Sequence, residues 1–497
     1  MGTPSEPTPP AAVGTDSRNP SGKTFFGQPR MLANLFSVEL WERFSFYGMQ
    51  VVVLLYMYFE VAEGGLGIDQ GVSAGIIGAY GGSVYLSTIL GAWVADRLLG
   101  SERVLFYSAI IIMLGHISLA VLPGVVGLAA GLILVGLGSG GLKANATTLV
   151  GSLYAPDDDR RDAGFSLFYM GINIGALLGP LLTGLTHNLL GFHFAFGLAA
   201  IGMAFGLIQY ALTRKNLPEE AHLIADPLPR RKFPLVGGLA VAGLVIIILA
   251  VLTGLITAAN LATVVAVVAV AAAVIYFIVI LSSRHINHIE RRRVLSFIPM
   301  FIASAAFFSI FQQQFTVITL YSDKRLDRSL FGWVMPIEWV QSINPIFIIL
   351  LAPVFAALWT NLGHRQPITP VKFALGLAVM GLAVLAFIPL AGGGPNSSPL
   401  LAIVGILFLF TVAELLISPV GLSLSTKLAP HIFHAQMVAL NFLSVALGTA
   451  MSGVLAGFYD PANEVPYFGI IGLAAIVMAV ALFLAAKPIK NLMSGVH

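Results

Sequence analysis

Three charged residues interrupt an otherwise apolar stretch that begins near residue 31 and ends near residue 60. They are Glu39, Glu42 and Arg43, and their i, i+3, i+4 spacing places all three on one face of a helix. A charge at the centre of a membrane-spanning helix costs roughly 2.5–3.5 kcal/mol, so such residues pair with one another or face a polar cavity. Carboxylates held beside an arginine can take up and release a proton. The spacing favours a transport role. The alternative is a purely structural ion pair that links neighbouring helices.

The composition is typical of a membrane protein. Of its 497 residues, 57% are hydrophobic and only 10% are charged, and the mean hydropathy is +0.90, whereas soluble domains carry about 25% charged residues. The formal net charge of +3 is spread over the loops and does not predict a nucleic-acid partner. The chain has no cysteine, which excludes disulfides and thiolate metal sites.

Fourteen stretches are long and apolar enough to cross a bilayer, which takes about 20 residues. Placing the N-terminus in the cytoplasm puts 21 of the 26 Lys and Arg residues on the cytoplasmic side, three in outer loops and two within spans, as the positive-inside rule requires. An even number of spans also puts the C-terminus in the cytoplasm. The predicted spans are residues 31–60, 72–98, 104–122, 125–150, 163–190, 194–212, 235–257, 260–282, 295–321, 332–359, 370–391, 399–425, 433–458 and 465–486.

A proline-rich connection divides these spans into two groups of six with an extra pair between them. The extra pair is almost entirely Ala, Val, Leu and Ile, which indicates helices that face lipid. The arrangement suits a two-half transporter with its site at the interface. We predict a disordered cytoplasmic tail over 1–30, an N-terminal six-helix bundle over 31–213, a cytoplasmic linker over 214–234, two extra helices over 235–283, a C-terminal six-helix bundle over 284–487 and a cytoplasmic tail over 488–497.

Two further ionisable residues, Lys143 and Glu414, lie deep within predicted spans, and Glu338 lies near an outer end. At about 1.5 Å per residue, Glu39 and Arg43 lie roughly 12–18 Å from the cytoplasmic surface, Lys143 about 12 Å and Glu414 about 20 Å. These depths predict a shared cavity. Three acids then face two bases, so one carboxylate lacks a basic partner and is a natural proton carrier.

Six segments along the chain carry motifs of one transporter family. In order they are ELWERFSFYG over 39–48, GAWVADRLLGSER over 91–103, GLKAN over 141–145, FYMGINIG over 168–175, QSINP over 341–345 and ELLISPVG over 414–421. They resemble segments of the proton-dependent oligopeptide transporters, the peptide branch of the major facilitator superfamily; the first resembles that family's ExxERFxYYG motif. The resemblance covers twelve core helices. It implies an all-α membrane protein with the major facilitator fold, twelve core helices in two six-helix halves, two extra helices, and both termini in the cytoplasm.

The resemblance implies that the protein imports di- and tripeptides together with protons across the bacterial inner (plasma) membrane. Arg43 and Lys143 would hold the peptide carboxylate and Glu414 its ammonium group. Ordinary helix packing is the alternative for Tyr85 and Phe308, and backbone bracing is the alternative for two asparagines. The implied proton-coupling residues are Glu39, Glu42, Arg43, Lys143 and Glu414. The implied peptide-binding residues are Arg43, Tyr47, Tyr85, Lys143, Asn173, Phe308, Asn344, Glu414 and Ser418.

The chain departs from the family pattern at several of these places. Gln50 and Gln312 stand where family members often carry an arginine and an acid that pair to close the outer side. Losing both charges together avoids an orphaned ion, and we expect a hydrogen bond between the two amides to form the gate instead. Phe46, Ala144 and Asn441 replace a tyrosine, a proline and a tryptophan of the family pattern. The side-chain preference is left open by these changes.

Histidines add little to this interpretation. His116 in the third span is either a proton relay or, as we favour, a hydrogen-bonding link between helices. The remaining candidates lie in cytoplasmic loops without evident partners, and we predict no metal site; they are His285, His288, His431 and His434.

We therefore expect a transporter that needs no cofactor, with protons as the coupling ion, peptides and the lipid bilayer as partners, and no nucleic acid. A monomer suffices for such a cycle. The rivals are a carrier of another solute, such as nitrate or a drug, and a membrane sensor or scaffold without turnover. The sequence contains no nucleophile–base pair that would predict an enzyme. It also contains no soluble nucleotide domain that would predict an ATP-driven pump.

Overall fold

The structure is a computed structural model that describes residues 24–154, 158 and 160–495. The predicted disorder of the N-terminal tail concerns residues 1–30, of which 1–23 lie outside the described residues. The predicted C-terminal tail begins within a described helix and ends outside the described part, at residues 496–497.

Almost all of the described chain is helical, because long apolar segments can satisfy their backbone hydrogen bonds in a membrane only within themselves. Two short strands, a π-helical segment over Ala95–Leu99 and several 3₁₀ turns complete it. The α-helices are α1 (Met31–Tyr58), α2 (Gln70–Val94), α3 (Ser101–Val121), α4 (Gly124–Ser152), α5 (Arg161–Leu190), α6 (Phe192–Thr213), α7 (Phe233–Leu252), α8 (Leu261–Ser282), α9 (His288–Phe311), α10 (Val317–Arg325), α11 (Ile343–Leu362), α12 (Thr369–Leu385), α13 (Leu400–Lys427), α14 (His434–Ala456), α15 (Glu464–Leu484) and α16 (Ala486–Leu492).

Thirteen helical segments of the described chain are long and apolar enough to cross a membrane. Helix α1 is not among them because it carries three charges, yet its 28 residues give a length of about 42 Å. Together with α1, these thirteen segments match the fourteen predicted spans, and the all-helical membrane class is confirmed. Helix α1, the exception, is the helix that carries the predicted functional charges.

The predicted span over residues 295–321 is not one continuous helix. Helix α9 ends in a 3₁₀ turn over Gln312–Phe315, and α10 restarts after Thr316, whose φ of −126° and ψ of −93° are not helical. The Gln313 amide instead donates to the carbonyl of Ser309 at 3.2 Å. Hydropathy could not reveal this break, since the polar turn is only a few residues long.

The next predicted span, residues 332–359, begins too early. Its first residues form an antiparallel hairpin, β1 (Ser329–Leu330) with β2 (Trp333–Val334). Phe331 and Gly332 make the turn with positive φ angles of 50° and 82°, as two-residue hairpins require. Helix α11 starts only after a further 3₁₀ turn, because the turn geometry outweighs the apolar composition.

The linker between the halves is docked on the first bundle rather than detached from it. Its backbone N–H groups at Asp226 and Leu228 donate to the carbonyls of Asp96 and Arg97, both at 2.9 Å. The Arg97 guanidinium also pairs with the Asp226 carboxylate at 2.8 Å. Further along the chain, every residue of α7 is at least partly exposed, as a lipid-facing helix should be, whereas α8 buries an alanine-rich face against α2 and α14.

Glycine permits the close packing that positions the charged helix. Gly175 of α5 lies against α1, where an added Cβ would be 2.9 Å from both Cβ of Arg43 and the backbone nitrogen of Phe44. Gly78 of α2 meets Gly453 of α14 in the same way, across the two halves, with 2.5 Å between the added Cβ and the facing Cα. These contacts fix the distance of α5 from α1 and hold the halves together.

Gly175→Ala is expected to weaken the packing of α5 on α1, because the added methyl group has no room there. Overpacking of this kind costs about 1–3 kcal/mol, so detergent-solubilised protein should unfold at a lower temperature. Gly237→Ala on α7 is the matched control, since nothing lies within 4 Å of its added Cβ. Equal melting temperatures for the two variants would contradict the packing argument.

Candidate functional site

A cavity of about 340 Å³ lies between the two helical halves. All of the predicted site residues except Glu42 line it, although they come from helices that are far apart in sequence. The first half contributes Glu39, Arg43, Tyr47, Gln50, Tyr85, Lys143 and Asn173, and the second half contributes Phe308, Gln312, Asn344, Glu414 and Ser418.

Helix α1 holds a buried cluster of two carboxylates and one guanidinium. Nε of Arg43 donates to Oε1 of Glu39 at 2.9 Å and lies 2.8 Å from Oε2 of Glu42. Neither oxygen of Glu42 accepts a hydrogen bond, and the residue is 0% exposed. One cation facing two anions leaves a net negative charge away from water, which is costly unless a proton neutralises it. The cluster is therefore suited to bind a proton.

Lys143 of α4 has no carboxylate partner among the described residues. Its ammonium lies 4.1 Å from the ring centroid of Tyr85 on α2, a cation–π contact. Such a contact is worth about 0.5–2 kcal/mol and leaves the positive charge without a counter-ion. The lysine is thus held in position while its charge remains available to a carboxylate.

Glu414 of α13 is oriented from the second half by Asn344 of α11. The Asn344 amide donates to Oε2 of Glu414 at 3.1 Å and to the Thr411 hydroxyl at 2.9 Å. Asn344 therefore positions the carboxylate, while Asn173 donates to the carbonyl of Tyr169 on its own helix at 2.9 Å, which is a bracing contact. No base pairs with Glu414 in the described part of the chain.

Aromatic rings form the apolar walls of the cavity. Tyr47 of the first half stacks on Phe315 of the second, with centroids 5.9 Å apart and an interplanar angle of 22°. Phe308 and Phe311 contact each other edge to face on the same side. The Ser418 hydroxyl lies in the lining without a hydrogen-bond partner. Apolar walls with a few oriented polar groups are typical of a small-molecule site.

The cavity opens on the cytoplasmic side. Thr147 of α4, Tyr169 of α5 and Leu422 of α13 line its mouth, and all three are exposed, Tyr169 to 44%. The structure is therefore inward-facing.

The outer side is closed by contacts between the halves that sequence reasoning missed. They form a ladder along one face of α5: Ser342 donates to the carbonyl of Leu177 at 2.9 Å, Trp339 to that of Leu181 at 3.0 Å, and His187 contacts Glu338 at 2.7 Å. The Tyr58 hydroxyl donates to Asp323 at 2.8 Å in addition. Only the polar residues of α5 and the segment before α11 hinted at this, and nothing in the sequence paired them.

The predicted amide gate is not formed in this conformation. Gln50 and Gln312 both line the cavity, but no hydrogen bond joins them, and Oε1 of Gln50 has no partner. The two side chains come from α1 and from the end of α9, where the broken helix sets their separation. The outer closure therefore depends on the α5 ladder and on Tyr58 rather than on this pair.

His116 makes neither of the contacts considered from the sequence. It is completely buried in α3, and neither ring nitrogen has a hydrogen-bond partner. The expected link between helices is thus wrong, and the ring does not line the cavity, so a relay to it has no path. Within the described residues no group of three or more His, Asp or Glu side chains could hold a metal ion.

A charged cavity between two helical halves, open on one side, is the arrangement of a multi-pass membrane transporter. A sequence profile described as "POT family" matches residues 102–477. The chain is 39% identical over 501 residues to a di-/tripeptide transporter of Lactococcus lactis subsp. cremoris, covering 96% of this chain and 99% of the relative. The chain belongs to the POT family.

Solved structures agree with this assignment. A peptide transporter POT in complex with sulfate is 44% identical, with a TM-score of 0.91, covering 95% of this chain and 97% of the other. A POT family transporter in complex with a thioalcohol-conjugated peptide is 37% identical, with a TM-score of 0.89 and coverage of 94% and 98%. The predicted family and fold are confirmed.

Glu338→Ala is expected to loosen the outer closure, because its contact with His187 is lost. The chain has no native cysteine, so Gln312→Cys provides a single labelling site beneath the ladder. A membrane-impermeant maleimide added from outside should label this site several-fold faster in the Glu338→Ala background. Glu63→Ala, which removes an exposed glutamate, is the matched control and should leave the rate unchanged. Equal labelling rates in both backgrounds would show that the ladder does not close the outer side.

Proposed function

We propose that this protein imports di- and tripeptides across the bacterial plasma membrane, together with protons and by alternating access. The observation that carries the proposal is the charge arrangement of the cavity: Arg43 and Lys143 with Glu39 in one half, and Glu414, without a basic partner among the described residues, in the other. Its relative from Lactococcus lactis is named a di-/tripeptide transporter, which supports the same substrate class. Protons serve as the coupling ion without a further cofactor, and a monomer contains the whole site.

A short peptide is a zwitterion, and the two ends of the cavity suit its two charges. Lys143 and Arg43 bind the carboxylate from the first half, and Glu414, oriented by Asn344, binds the ammonium group from the second. The aromatic walls accept the side chains, and Ser418 and the asparagines offer hydrogen bonds to the peptide backbone. A ligand bound at both ends links the halves, so binding promotes their closure around it.

Proton coupling follows from the extra negative charge of the α1 cluster, which holds two carboxylates and one guanidinium. With a proton on Glu39 or Glu42, the remaining carboxylate and Arg43 are neutral as a pair, and Lys143 is free to bind the peptide. After the peptide is released into the cytoplasm, the proton leaves the carboxylate as well. The carboxylate then attracts Lys143 or Arg43 again. The empty carrier returns outward in this re-paired state. Bilayer, peptide and proton are therefore the partners of one cycle.

Glu42→Gln is expected to abolish peptide accumulation driven by a proton gradient, because the amide cannot bind and release the proton. Exchange of labelled for unlabelled peptide should persist, since Glu42 does not line the cavity. Both activities are measured in liposomes with labelled dialanine, with and without an imposed pH gradient. Glu63→Gln, on an exposed outer residue, is the control. Full gradient-driven accumulation by the Glu42→Gln protein would rule out this residue as the proton carrier.

Glu414→Gln is expected to weaken binding of dialanine about 10-fold to 100-fold, because a charge-assisted hydrogen bond contributes about 1.5–3 kcal/mol. N-acetyl dialanine lacks the ammonium group, so it should bind the unchanged protein more weakly than dialanine does. The Glu414→Gln substitution should change its binding little. The KM for uptake of each compound, measured in the same liposomes, gives the comparison. A similar loss for both compounds would mean that Glu414 does not recognise the amino terminus.

Two rival functions give different results in the same liposomes. A carrier of nitrate or another simple anion would ignore dialanine, and the unpaired carboxylate of Glu414 in the cavity disfavours it. A sensor or scaffold would bind peptides without moving them. Uptake of dialanine that is unaffected by collapse of the proton gradient would refute the coupling and retain the transporter.

A further inference from the structure

A second and larger cavity, of about 1040 Å³, lies at the cytoplasmic mouth of the second half. It is bounded by the end of α11, the start of α12, the end of α13 and α16, with Tyr169 of α5 on the opposite side. Three lysines line it, and its described lining contains no aspartate or glutamate. They are Lys372, Lys427 and Lys490.

Lys372 is fixed in this cavity as a buried cation. It is 8% exposed, and its ammonium donates to Oε1 of Gln366 at 2.8 Å and lies 4.1 Å from the ring centroid of Trp359. Gln366 is itself held by a hydrogen bond from its amide to the carbonyl of Trp359 at 2.7 Å. Neither partner of the ammonium carries a negative charge, so an anion in the cavity would stabilise the ammonium further.

The surroundings increase the attraction for an anion. Lys427 lies in the last turn of α13 and Lys490 in α16, and both border the same space. The N-terminus of α12, at Thr369, lines it too, and the partial positive charge of a helix N-terminus favours anions. The cavity thus concentrates positive charge where the positive-inside rule alone would only scatter it over loops.

The remaining walls are apolar, and the helix beside them faces lipid. Phe355 and Trp359 of α11 and Leu415 of α13 line the cavity, while Val354 and Leu350 on the outer surface of α11 are 57% and 60% exposed. An apolar wall below a basic rim at the cytoplasmic level suits a lipid with an anionic headgroup. A free inorganic anion would have no use for the apolar part.

We propose that this cavity binds an anionic phospholipid of the inner leaflet, with its phosphate on Lys372 and Lys490 and an acyl chain along α11. The two cavities adjoin at Tyr169, Ser418 and Leu422, which line both, whereas Arg43, Lys143 and Glu414 line only the first. The assignment does not depend on the transported substrate or on the coupling ion.

Native mass spectrometry of the full-length protein, released from detergent, tests the proposal. Phosphatidylglycerol and phosphatidylcholine are added separately, and their adducts are counted as a function of lipid concentration. We expect the anionic lipid to bind more tightly, and Lys372→Gln and Lys490→Gln each to weaken it about fivefold. Lys324→Gln, on the outer side, is the control and should bind like the unchanged protein.

Lys490→Gln keeps the test decisive if the Lys372→Gln protein fails to fold, because Lys490 is only partly buried in a short terminal helix. Phosphatidylglycerol retention that is unchanged in both variants would overturn the site. Equal binding of the two lipids would overturn the role of charge. Inorganic phosphate that displaces the lipid from the unchanged protein supports a phosphate site, whereas phosphate adducts without any lipid adducts would overturn the lipid assignment.

Discussion

Burial of two carboxylates against a single guanidinium on α1 is the constraint on which the rest of the structure depends. Glu39, Glu42 and Arg43 are at most 2% exposed, so their charges must be balanced by neighbours or by a proton. Close packing at Gly175 keeps α5 against this helix and leaves no room for solvent on that side. The open side faces the cavity, and only there can ligands and a second base, Lys143, act on the cluster.

The division of charges between the halves gives the cavity its direction. The first half contributes Arg43 and Lys143 to the cavity, and the second half contributes Glu414 with its orienting asparagine. In the proposed cycle a peptide joins the two halves, and the proton on α1 acts on the same set of charges. Coupling between the two ligands would follow, since each changes the cost of leaving the other's partners unpaired.

Closure on the outer side uses hydrogen bonds and one His–Glu contact along α5 instead of a pair between Gln50 and Gln312. Ser342, Trp339 and Glu338 all lie in the 3₁₀ segment Ile337–Ser342 that precedes α11, so they can separate together when that segment tilts. The glutamines remain inside the cavity with an unpartnered oxygen. They are then available to the bound peptide, which a charged gate pair would not be.

The sequence by itself determined the membrane class, the number of spans and the charged residues of the cavity. The reason is that an ionisable residue within a hydrocarbon-length apolar segment is costly whatever its neighbours are, so Lys143 and Glu414 stand out without a structure. Only the tertiary structure decided which of these groups touch: Glu42 lies outside the cavity, His187 meets Glu338, and the chain breaks at Gln312–Phe315. Such contacts join residues far apart in sequence or depend on a few polar residues within a long apolar segment, and hydropathy carries no information about either.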